Sequence, residues 1–292
     1  MSGVQGGHGG AGAVARRLQL GSQLRRLREA SGVTRESAGY EIRASESKIS
    51  RMELGRVGFK QRDVADLLTL YGVTRESERA ALLALVGETN TPGWWHAYGE
   101  VVPPWFQTYL GLEEAAREIS SYEVQFIHGL LQTEEYARAV CLLGNPNAAE
   151  EDIERRVAVR MRRQHILRSP DGPRLLAVMD EAALRRPCGG REVMRAQLSR
   201  LGELAEHPRI TLLVMPLGVG GLAAESGAFT VLGFDGAGDL PDQVYLEQFT
   251  TAIYLDRPAE VAEYRTVLER LRVGSLSAEG TLGLLETALQ DL

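Results

Sequence analysis

Cysteine is nearly absent: Cys141 and Cys188 are the only two in 292 residues. Two thiols cannot complete a four-ligand metal site, and so few fit a reducing compartment rather than a disulfide-built secreted domain. Histidine is scarce as well. None of His8, His96, His128, His165 and His207 forms an i, i+4 pair or stands near a cysteine, so metal-ligand spacing is missing. No apolar run approaches the roughly 18 residues of a membrane span. The opening MSGVQGGHGGAGA lacks the apolar centre of a secretory signal, and residues 1–13 read as a disordered glycine-rich tail. There is no G-x-S-x-G elbow, and GVGGLAAESG, Gly218 to Gly227, has glycines but no phosphate-loop lysine. That stretch reads as a flexible connection between strands. These absences leave the expectation of a cytoplasmic protein with no membrane contact, cofactor, metal or enzymatic activity.

What is present is a lopsided charge distribution. Hydrophobic residues make up 44%, enough for more than one core, and the net charge is −6. Yet Ala13 to Arg62 holds twelve Lys and Arg against five Glu, so an N-terminal stretch at +7 is followed by a body that must carry −13. A basic module joined to an acidic body implies that one part meets a polyanion and the other does not.

The basic stretch reads as short helices. Leu18, Leu20, Leu24 and Leu27 recur at near-helical spacing before a stop at Gly32. Thr34 is placed to cap a second helix, with the small Ala38 inward, and Ser45 to cap a third through Ile49 and Met52 toward Gly55. A fourth helix presents Val64, Leu67, Leu68 and Tyr71 inward, and Thr74 is placed to cap a fifth. Five short helices joined by tight turns describe a helix-turn-helix bundle. The third helix, in SESKISRMELGR, then offers polar residues to base edges while flanking arginines grip phosphates.

T-R-E-S-A at Thr34 to Ala38 and S-x-S-K-I-S-R-x-E-x-G-R from Ser45 to Arg56 resemble the lambda-repressor-like, Xre-type helix-turn-helix. The resemblance places the DNA-facing positions on Arg35, Glu46, Ser47, Lys48, Ser50 and Arg51, with Arg56 near the backbone, and makes Glu53 a structural residue paired with an arginine. One departure stands out. The turn that usually carries glycine here reads Ile42-Arg43-Ala44, and a non-glycine residue in a left-handed turn is strained.

A linker follows at residues 88–104, rich in helix-breaking Pro and Gly. Trp94, Trp95 and Trp105 are the chain's only tryptophans and read as a staple between domains rather than a ligand cage. Beyond, helical and extended patterns mix. Strand candidates are SYEVQFI, RLLAVMD, ITLLVMPL, AFTVLGF, QVYLEQF and TAIYLD, with helices between and two at the end. Residues 105–292 are thus expected to form an α+β domain with a small, mostly antiparallel sheet, behind a helix-turn-helix domain over 14–87, in a chain that is mainly α. Asp180, Glu181 and Glu247 lie near strand ends, where catalytic carboxylates often sit, but read as helix caps or salt bridges. The arginines from Arg155 to Arg168 read as a charged face balanced by Glu150, Glu151, Asp152, Glu154 and neighbours across the fold, with an acidic partner or phosphate ligand as the other reading.

G-L-L-Q-T-x-x-Y-A-R-A from Gly129, R-x-x-R-Q-x-I-L from Arg160, D-E-A-A-L from Asp180 and V-M-x-x-Q-L-x-x-L from Val193 resemble the C-terminal domain of unknown function found on actinobacterial WhiJ-like regulators. His128 stands where proline is usual. That likeness implies a sequence-specific transcriptional regulator on double-stranded DNA in the nucleoid, often with a small partner protein. A dimer on two half-sites about 34 Å apart is the physical expectation, because one short helix reads too few bases. The alternatives are an interaction module controlled by the partner protein, or a ligand sensor or cryptic enzyme in the body.

Overall fold

The structure is a computed structural model that describes residues 9–219, 227–234 and 240–292. The loop reading for Gly218 to Gly227 falls outside the described residues over 220–226, as does the tail reading for residues 1–8. The chain divides into two compact units, the first running to Ala97 and taking in Gln107–Ala115, the second holding Tyr98–Phe106, Ala116–Gly233 and Asp242–Leu292.

The first unit is helical. Its helices are α1 (Gly9–Ala30), α2 (Arg35–Glu41), α3 (Glu46–Glu53), α4 (Gln61–Leu70) and α5 (Glu76–Glu88). The first helix begins at Gly9, so part of the glycine-rich opening is helical. Four turns of leucine-bearing helix follow it, and Ala13 and Val14 are buried, which offsets the poor helix propensity of glycine. Gly32 then closes the helix at φ +67. Leu20, Leu24, Ala38, Ile49, Met52, Val64, Leu67, Leu68 and Tyr71 make one core. The residues expected to face inward do so.

The caps follow the sequence in two of three cases. Thr34 Oγ1 accepts from the Ser37 amide at 3.1 Å, and Ser45 Oγ accepts from the Lys48 amide at 3.2 Å. Thr74 does not cap α5. That helix starts one residue later, from Arg75, with no side-chain cap bond. Trp94 and Trp95 form a 3₁₀ turn in this unit, where Trp95 is buried and Trp94 Nε1 donates to Glu114 Oε2 at 3.1 Å.

After α6 (Pro104–Ala115), the second unit is built on a six-stranded sheet. In chain order it runs β1 (Glu118–Glu123), α7 (Glu134–Gly144), α8 (Glu150–Arg163), α9 (His165–Arg168), β2 (Arg174–Asp180), α10 (Glu181–Arg185), α11 (Arg191–Ala205) and β3 (Ile210–Met215). Then come β4 (Phe229–Gly233), β5 (Gln243–Glu247), β6 (Ala252–Leu255), α12 (Pro258–Gly274) and α13 (Ala278–Asp291). The strand order is β3-β2-β1-β4-β5-β6. Pairings β1–β4, β4–β5 and β5–β6 are antiparallel, the last two between consecutive strands, while β1–β2 and β2–β3 are parallel. The sheet is therefore mixed, antiparallel in three pairings of five. The parallel half follows from the helices between β1, β2 and β3, since parallel neighbours need a crossover. RLLAVMD is nearly continuous in apolar character because β2 is covered on both faces.

One face of the sheet packs on α12 through Tyr122, Val178, Phe229, Val231 and Val244 against Val261, Leu268 and Leu271. The outer edge of β3 is closed by α13 and the turn before it: the Val214 amide donates to Thr281 Oγ1 at 3.2 Å, and its carbonyl accepts from the Leu276 amide at 2.9 Å. His128 is buried and holds its turn, Nδ1 accepting from the Leu130 amide at 3.2 Å.

Candidate nucleic-acid interface

Helix α3 is fixed from behind. Ile49 and Met52 enter the core, and Gly21 of α1 lies so close that a Cβ there would stand 2.5 Å from the Met52 carbonyl oxygen and 2.7 Å from that of Glu53. The carboxylate of Glu53, almost wholly out of water, is gripped by two arginines. Arg28 of α1 donates from Nε to Oε1 and from Nη2 to Oε2, the latter at 3.2 Å, and Arg35 of α2 donates from Nε to Oε2 at 3.0 Å. Three helices thus meet on one carboxylate. Its hydrogen bond raises the Arg28 pKa, and burial, with the Glu53 charge behind it, pushes the nearby Tyr71 phenol well above its usual range.

The opposite face of α3 is open. Glu46, Ser47 and Arg51 are exposed, and Ser50 and Lys48 are partly so. Arg51 Nε donates to the Ser47 carbonyl at 3.3 Å, which lays the guanidinium along the helix. Lys48 Nζ reaches Asp63 Oδ2 of α4 at 2.7 Å. Arg56 is exposed just past the helix. Of the seven residues expected to face DNA, Glu46, Ser47, Lys48, Ser50 and Arg51 share the open side of α3. Arg35 and Lys48 each already hold a carboxylate of this chain.

Two neighbours of this surface had weaker sequence signals. Arg43 is exposed and takes φ +54, the one non-glycine residue with positive φ among those described, so the usual glycine position keeps its left-handed turn with an arginine in it. Asp63, the partner of Lys48, carries no signal before the fourth helix is packed beside the third. Arg43 and Lys60, both exposed, add positive charge to the same stretch of chain.

The carboxylates near strand ends in the second unit act as local ties. Asp180 Oδ1 accepts from the Ala182 amide at 2.8 Å and so caps α10, and Glu181 pairs with Arg185 Nε at 2.6 Å. The arginines of α8 find partners across the unit as well as solvent: Arg155 pairs with Glu100 at 2.6 Å, and Arg156 Nη1 donates to the Val101 carbonyl at 2.9 Å. No group of three His, Cys, Asp or Glu suited to a metal occurs among the described residues. Nor is any described helix long and apolar enough to cross a membrane.

A bundle whose second and third helices are capped, crossed and buried in this way is a helix-turn-helix, and residues 19–82 match a helix-turn-helix domain. Residues 106–287 match a domain of unknown function, DUF5753, and the chain belongs to that family. No curated protein and no solved structure matches the chain. The helix-turn-helix is a DNA-binding module, which makes transcription regulation the role in view.

Proposed function

We propose that this chain is a sequence-specific transcriptional regulator of the Xre, WhiJ-like kind. In this reading α3 enters the major groove, and the second unit brings two copies together and receives a signal or a small partner protein. The open side of α3, set on a buried core and a three-helix ionic tie, is the observation that carries it. Ser47 reads a base edge, Lys48 and Arg51 donate to a base or a phosphate, and Ser50 and Glu46 set the fit, while Arg35 and Arg56 hold phosphates. Lys48 exchanges its Asp63 carboxylate for DNA, while Arg35 keeps Glu53 on Nε and turns its remaining guanidinium donors to phosphate. Two copies on half-sites about 34 Å apart supply the specificity that one short helix lacks.

The test is binding of the full chain to the DNA upstream of its own gene across a salt series, beside a Ser47→Ala, Lys48→Ala, Arg51→Ala variant. Tight footprinted binding with a steep salt slope, lost in the variant, is expected. Arg56→Ala should instead weaken all sequences alike and reduce the slope by about one. Binding no tighter than to random DNA, and unchanged in the variant, would remove α3 from the reading of sequence.

A further inference from the structure

On the sheet face turned away from α12, polar groups stand where a packed sheet carries aliphatic ones. The pairings Ser121↔Thr230 and Thr230↔Tyr245 align three hydroxyls across β1, β4 and β5. Two residues further along, Glu123 ends β1 and Glu247 ends β5, at the same end of the sheet because both strands run antiparallel to β4. Alternation along the strands puts all five on one face, with the two glutamate backbones roughly 10 Å apart.

This cluster is underused by its own protein. Ser121 is fully buried and its hydroxyl has no hydrogen-bond partner among the described residues. A buried polar group without a partner is rare and points to something missing from the site. The side chain of Glu123 makes no hydrogen bond or ion pair among the described residues. Burial and the charge of Glu247 outweigh the attraction of Arg163 and Arg160, and its pKa is pushed up to about 8. Arg163 is stacked over Phe106 at 5.2 Å, and Arg160 gives one Nη1 hydrogen bond to Gln132 at 3.2 Å, leaving further donors. Tyr245 OH donates to Glu247 Oε2 at 2.9 Å and orients it.

We infer that this face is a binding site for a small zwitterion, a molecule with an ammonium group and an acidic group a few bonds apart. The ammonium has three donors and meets three acceptors: the Glu123 and Glu247 carboxylates and the Ser121 hydroxyl. The acidic group meets the donors that Arg160 has left. A metal ion fits poorly, since among the described residues no third acidic, His or Cys ligand stands with the two glutamates. A simple anion would meet two carboxyls, and a simple cation two arginines. The site gives the proposed regulator its signal and deepens that reading, but its test does not pass through DNA, so the two can fail separately.

The full chain is melted with phosphoethanolamine and L-serine as zwitterions, putrescine as a bare cation and inorganic phosphate as a bare anion. The zwitterions should raise Tm with dose while the bare ions do not, and Glu123→Gln and Ser121→Ala should each lose that rise. Because the ammonium draws Glu123 to its carboxylate form, binding should release a proton. Calorimetric enthalpies in buffers of unlike ionisation heat read that release.

Without ligand, Glu123 ionises near 4.5 in the unfolded chain and near 8 in the fold. Between those values the native state holds a proton that the unfolded state has lost, so stability falls as pH rises through this window and levels off above it. Glu123→Gln should therefore flatten the pH dependence and melt at or above wild type near pH 8. Either of two results overturns the inference. One is no shift from the zwitterions, or an equal one from phosphate alone; the other is a Glu123→Gln protein that melts lower than wild type at every pH, which makes the carboxyl structural.

Discussion

Glu53 ends α3 with its carboxylate desolvated between Arg28 and Arg35. Removing one member of a buried ionic group leaves the others without compensation, which costs far more than the intact group adds. Glu53→Ala should destabilise the first unit by about 3–5 kcal/mol, since Arg28 would stay buried without its carboxylate. Urea unfolding followed through the buried Trp95 measures it, as a lower midpoint with the same slope. The structural part of Glu53 was legible in the motif around it. Arg28, 25 residues upstream, was not. Its part depends on how closely α1 crosses α3, and that is set by Gly21, a residue that as sequence reads only as a weak spot in a helix.

At the scale of elements, caps and apolar spacing gave α2, α3 and α4 almost to the residue, because short helices are decided by local chemistry. RLLAVMD coincides with β2 because a strand covered on both faces reads as a near-continuous apolar run. Elements held by distant packing were harder to place. β1 lies upstream of the expected SYEVQFI, at Glu118–Glu123, where parallel pairing with β2 and antiparallel pairing with β4 select the register. The candidate site divides the same way: the open face of α3 was legible from spacing, and the Lys48–Asp63 tie was not. The turn between α2 and α3 offers a clean test. Arg43 bears a left-handed backbone that costs a non-glycine residue roughly 1–2 kcal/mol. Arg43→Gly should raise stability by about 0.5–1 kcal/mol once the greater chain entropy of glycine is subtracted. Thermal melts check that gain. Binding assays in parallel tell whether the arginine also serves DNA, since affinity would then fall as stability rises.

For the whole molecule, the parts differ in how far along the chain their partners lie. The helical core from Leu20 to Val86 is assembled from neighbours in sequence. The sheet is not: β3 sits at its edge, and the group that satisfies the Val214 amide, Thr281, comes 67 residues later. Thr281→Val keeps the shape but removes the acceptor. It should cost about 1–3 kcal/mol for the stranded amide and make the protein more prone to aggregate on warming, which light scattering alongside a melt would record. The same separation has a consequence during synthesis. The helices of the first unit can be complete while the ribosome is still making the sheet, and the border of β3 stays available to other nascent chains until α13 emerges. A cell that slows translation between those two points would lengthen that exposure without changing a single residue.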